Sequence, residues 1–227
     1  MQKNIVIAAA VLLSVCFLQS CGNTDNHPNA SELDTTMHPK APKDSTGKAK
    51  MLMDNDLMFS LSSTMAKMKA IELSGDFDLD FANMMILHHQ AAIDMSRVEM
   101  AQGRDEQIKA MALDIITLQN AQIVQMQEFV LNYKTPVIKV AQITEKPNPL
   151  GATMKAMMDK MNNMPMTGLT DQDFVAMMIP HHRAAVKMAE DELKHGKNPA
   201  LKKLAQQMVV DQNEEIEEFK AWVINHQ

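Results

Sequence analysis

The chain has 227 residues, 46% apolar but only 4% aromatic, and a formal charge of −6. That length holds one ordinary domain plus appendages, with a core that aliphatic and thioether side chains must fill. The acidic balance excludes the clustered basic surface that nucleic-acid binding needs. Methionine is the unusual component: 23 residues, about one in ten, of which only Met1 falls in the N-terminal targeting segment.

Residues 1–20 read as a lipoprotein signal peptide. Lys3 is the positive n-region, Ile5 to Leu18 the apolar h-region, and Leu18-Gln19-Ser20-Cys21 a lipobox-like end, with Gln19 atypical for it. The apolar run is short for a bilayer span. Cys16 then leaves with the signal and Cys21 is the lipidation site. The mature chain keeps no thiol, so no disulfide framework or thiolate metal site is expected. Residues 21–50 are polar, with no apolar period, and predict a flexible tether. His27, Met37 and His38 lie in it and read as incidental loop residues.

An all-helical domain is expected over residues 51–227. Its strongest signal is internal: DFANMMILHHQAAIDM from Asp80 matches DFVAMMIPHHRAAVKM from Asp173 at an offset of 93 residues (181 − 88). The match runs without a gap over 54 positions, 19 of them identical, far more than chance supplies. We read two tandem units, residues 57–133 and 150–226. In the first, Phe81, Met84, Met85, His88, Ala92, Met95 and Val98 recur at helical spacing, predicting a helix from about Asp78 to Gln102. Gly103 and Gly196 stand where a C′ glycine ends a helix, and Asp105 and Asn198 then cap the next one. These second helices extend to about Tyr133 and His226. Shorter methionine-rich helices are expected near Met51 to Leu73 and Leu150 to Asn163. Two helical hairpins joined by a long crossover predict a ferritin-like four-helix bundle with two short helices beside it.

The chemistry concentrates in His88-His89 and His181-His182, at equivalent positions of the two units. Residues three and four apart share a helix face. His88 therefore stands with Met84, Met85 and Met95, and His181 with Met177, Met178 and Met188. Imidazole with thioether suits Cu(I) or Ag(I) and is poor for Mg or Ca. Adjacent histidines point about 100° apart on a helix, so one of each pair faces inward and the other a neighbouring helix. Pro180, where the first unit has Leu87, should kink its helix beside His181.

The plainer reading is that methionines fill the core and buried histidines are simply hydrogen-bonded, with Gln119 or Gln212 as partner. Recurrence of the pairs, and methionines continuing through Met154 to Met166, favour metal. A di-iron carboxylate site would need paired Glu-x-x-His motifs, and only Glu192 with His195 has that spacing. Glu99, Glu192 and the run from Glu214 to Glu218 read as solvated helix charge. No nucleophile, phosphate loop or Ser/His/Asp arrangement is evident, so no catalytic residues are expected.

The motif from Asp80 through Phe81, Met84, Met85, His88 and His89 to Met95, its counterpart from Asp173 to Met188, and the later Gln119 and Gln212 runs resemble domain-of-unknown-function family 305. The resemblance covers residues 79–223. It implies a ferritin-like fold and export, and for some members copper or silver binding; the metal implication carries only to His88, His89, Met84, Met85, Met95, His181, His182, Met177, Met178 and Met188. The expectation is therefore an envelope lipoprotein, on the periplasmic or outer-membrane side. It would bind Cu(I), with Ag(I) the second choice, for sequestration, tolerance or transfer, without catalysis. Its partners would be the metal ion and, through Cys21, the membrane. The alternatives are a helical structural or interaction lipoprotein and, less favoured, a ferritin-like metal oxidase.

Overall fold

A computed structural model describes residues 46–134 and 148–226. The predicted signal peptide, Cys21, most of the predicted tether and the linker prolines Pro136 and Pro147 lie outside the described residues. The described chain is all-α: α1 (Thr46–Lys69), α2 (Phe77–Gln102), α3 (Glu106–Asn132), α4 (Pro149–Asn162), α5 (Thr170–His195) and α6 (Pro199–Asn225). Both boundaries of α2 and of α3 recur in α5 and α6 at the 93-residue offset.

Local chemistry sets those boundaries. Asp105 accepts from Gln107 N and Ile108 N to start α3, and Asn198 accepts from Ala200 N and Leu201 N to start α6, with Pro199 in the first turn. Ahead of α2, Asp80 accepts from Ser74 N, Ser74 Oγ and Gly75 N; ahead of α5, Asp173 accepts from Thr167 N, Thr167 Oγ1 and Gly168 N. Gly75 and Gly168 sit at φ 81° and 73°, where a side chain would strain the turn. The aspartates that open the repeated motif are thus loop clamps.

Gly103 and Gly196 do end their helices, at φ −63° and −65° and so outside the left-handed region common for such glycines. Their reason is space. A Cβ on Gly103 would lie 1.9 Å from Glu99 Oε1 and 2.6 Å from the Glu99 carbonyl oxygen, and Gly196 meets Glu192 in the same way. Helix α1 also departs from expectation. It spans 24 residues, starting at Thr46 inside the segment read as tether, and is no short accessory. Alanine and lysine before its buried stretch are good helix formers and extend it upstream. Helix α5 runs through Pro180 without interruption.

Helices α2 and α5 form the centre. They pack on each other and each on its own hairpin partner, α3 or α6, while α1 lies on α2 and α4 on α5; α3 and α6 meet only briefly. Phe81, Met85, Met95, Met126, Phe174 and Phe219 are fully buried between them. Each such side chain contributes about 1.5–3 kcal/mol of transfer free energy. No described helix is long and apolar enough to cross a membrane.

Candidate metal centre

All ten residues singled out in the sequence are buried, His88, His89, His181 and His182 completely. The central contact joins the two hairpins: the His88 and His181 rings stack with centroids 3.7 Å apart and planes at 36°. His89 and His182 flank them, at 6.3 Å and 6.1 Å from their sequence neighbours. The inward and outward division expected from the helical twist is present.

The outer histidines are held from behind, and by residues one turn beyond those expected. His89 Nε2 lies 2.7 Å from Gln122 Oε1, an acceptor, so the ring proton sits on Nε2. Gln122 in turn donates to Asp211 Oδ2 at 3.2 Å. His182 Nε2 lies 2.8 Å from Glu215 Oε2, close in distance but off-axis for a full hydrogen bond. In both, the Nδ1 lone pair is left buried without a partner, as are both ring nitrogens of His88 and His181. Gln119 and Gln212, the partners suggested by sequence, are buried with unpartnered amides. Gln122 and Glu215 lie three residues after Gln119 and Gln212 on the same helix faces, and choosing between successive turns needs the interhelical register.

Burial dominates the electrostatics. Desolvation, reinforced by neighbouring histidines, holds His88 and His181 well below the usual imidazole range. Burial also lowers His89 to about 4, against the opposing pull of the Gln122 hydrogen bond. These three rings are neutral at pH 7, the protonation state a metal ligand requires.

The structure corrects the reading of Glu99 and Glu192 as solvated charge: both are completely buried. Asp171, from the second hairpin, accepts from Arg104 N and Asp105 N of the first; Asp78, from the first, accepts from Lys197 N and Asn198 N of the second. Glu99 packs beside Asp171 and Glu192 beside Asp78. Burial first, then hydrogen bonding to the aspartate, pushes Glu99 up to about 8 and Glu192 up to about 9. Ionised, neither glutamate would have a donor for its oxygens; protonated, each donates to its aspartate. Of the acidic run, Glu215 is likewise not free charge, because it backs His182.

What the donors can hold follows from their type. Among the described residues no three His, Cys, Asp or Glu side chains converge into a metal-holding group. The available donors are imidazoles, with buried thioethers three to seven residues away on the same helices. The backing of Nε2 by an amide or a carboxylate matches the way histidine ligands are oriented at metal sites.

The profile of the family described as a domain of unknown function, DUF305, matches residues 18–130 and 78–223, and the chain belongs to that family. Among curated proteins none matches. A solved DUF305 fragment from Deinococcus radiodurans is 26% identical, with TM-score 0.50, covering 66% of this chain and 97% of that one. A DUF305 protein of Streptomyces coelicolor, described as secreted, is 27% identical with TM-score 0.52, covering 67% and 94%. CopM in its Cu(II)-bound form is 28% identical with TM-score 0.50, covering 66% and 97%. CopM is also known in Cu(I)- and Ag-bound forms.

Proposed function

We propose that this protein binds a soft metal ion, Cu(I) before Ag(I), at the centre where α2 and α5 meet, and sequesters or hands on the ion without catalysing a reaction. The observation that carries the reading is the orientation of His89 and His182, each with Nε2 turned to a partner and Nδ1 left buried and free. Buried polar groups are almost always partnered, so a ring aimed this way is suited to a ligand. Neutral rings, and Met84, Met85, Met95, Met177, Met178 and Met188 on the same helices, supply a donor set for a monovalent ion. That CopM holds copper and silver supports the same reading. We further read the arrangement as a ferritin-like variant built from two tandem hairpins joined chiefly through α2 and α5. The protein would be exported and lipid-anchored at Cys21 on the cell envelope.

The test is anaerobic titration of the full chain with Cu(I) against a chromogenic chelator, beside a His88→Ala plus His181→Ala variant. Stoichiometric competition that the variant loses supports the metal role. A wild-type chain that never competes would falsify it and leave a helical packing protein. Loss of labelled-palmitate incorporation in Cys21→Ser tests the anchor separately.

A further inference from the structure

Among the described residues, soft donors also gather outside the histidine centre. We propose that a pocket between α1, α2 and α4 is a second, thioether-only site for a monovalent soft metal ion, built from Met68, Met84, Met154 and Met158. This rests on the metal reading above and shares only Met84 with it; Met68, Met154 and Met158 are its own. The pocket has a volume of about 490 Å³, and these four methionines are half of its lining. Met68, Met84 and Met154 are largely buried, whereas Met158 is half-buried.

Methionine is the most adaptable filler of core gaps, yet these four line an opening at the edge of the core and do not close it. Gly151 contributes to that space: a Cβ there would meet nothing within 4 Å. At the positions 93 residues earlier, Met58 replaces Gly151 and Leu61 replaces Met154, so the donor set is not repeated on the first hairpin. The one carboxylate on the lining, Asp159, is exposed and bridges to Lys155 Nζ at 2.5 Å, so the buried donors are the thioethers. Thioethers without a free carboxylate select Cu(I) or Ag(I). Met84 also lies four residues before His88, about 6 Å of helix rise, which sets the pocket one turn from the buried histidine pair.

The test uses Ag(I), which is redox-inert here, with the full chain and [13C-methyl]methionine. Met154→Leu plus Met158→Leu keeps apolar volume close to constant and leaves α2 and α5 untouched. We expect this variant to lose one tightly bound Ag(I) equivalent and to keep the binding that depends on His88 and His181. Gly151→Leu, with all four sulfurs in place, should lose the same equivalent by filling the opening. In the wild type, the Met154 and Met158 methyl resonances should shift on Ag(I) addition, and should still do so in His88→Ala plus His181→Ala. Unchanged stoichiometry in both pocket variants, or methyl resonances that do not move, overturns the proposal. If the histidine variant loses all Ag(I), the pocket fails while the histidine reading stands; if the wild type binds none, both fall.

Discussion

The two hairpins share helix boundaries, capping chemistry and histidine positions, yet they hold their outer histidines differently. His89 is backed by Gln122, a neutral amide relayed to Asp211, whereas His182 faces the Glu215 carboxylate. Gln122 and Glu215 occupy equivalent positions. A carboxylate can only accept from the imidazole, whereas an amide accepts from it and donates onward to a further partner. Matched backbones therefore carry two differently backed histidines, and likeness of scaffold does not entail likeness of surroundings.

What the hairpins do share is the way they lock together, and breaking that lock should have the largest effect. Asp78→Ala and Asp171→Ala each strip a turn of charge-assisted backbone bonds, worth about 1.5–3 kcal/mol apiece. Each variant should lose about 3 kcal/mol in urea unfolding. Asp78 receives Lys197 N on both oxygens as well as Asn198 N, so its loss should be the greater. Equal and negligible losses would show that the hairpins are joined by apolar packing alone.

Next in size are the glycines above the buried glutamates. Gly103→Ala and Gly196→Ala should each cost about 1–3 kcal/mol, the usual range for overpacking. Adding Glu99→Ala to the first should recover only part of the loss, because the added Cβ also meets the Glu99 carbonyl oxygen at 2.6 Å. Full recovery, read from the melting midpoint, would place the conflict in the side chain alone.

The buried glutamates also separate the hairpins by pH. Their folded-state values, about 8 for Glu99 and about 9 for Glu192, lie above the ordinary 4.5. The folded chain keeps protons that the unfolded chain releases, so this contribution is complete below the ordinary value and is lost as pH rises through 8 and then 9. Denaturant midpoints should fall from about pH 4.5 to about pH 9, and Glu99→Gln plus Glu192→Gln should flatten the decline. In single variants, Glu99→Gln should lessen the decline only up to about pH 8, whereas Glu192→Gln should lessen it there and also remove the part between about 8 and about 9. A double variant with the wild-type slope would assign the decline to other groups.

The smallest effect concerns one hydroxyl. Ser96 is completely buried without a partner, and the equivalent residue of the second hairpin is Ala189. Ser96→Ala should be neutral or stabilise by about 1 kcal/mol, since an unpartnered buried hydroxyl costs roughly that much. A clear destabilisation would mean the hydroxyl is bound in the folded protein.

The sequence by itself determined where helices α2 to α6 run, to within a residue or two, and that the His and Met positions are buried. Helical period, caps and turn glycines act over a few residues, so the information is local. It also located the histidine pairs and the division of each into an inner and an outer ring. The tertiary structure decided which groups meet. His88 reaches His181, and His89 reaches Gln122 rather than Gln119, because hairpin register selects between turns of a facing helix. Glu99 and Glu192 look like surface charge in a single helix. Only the approach of an aspartate from the other hairpin, together with a glycine that leaves room for the carboxyl, lets them be buried in neutral form. Those partners lie tens of residues away in the chain, and packing alone brings them into contact.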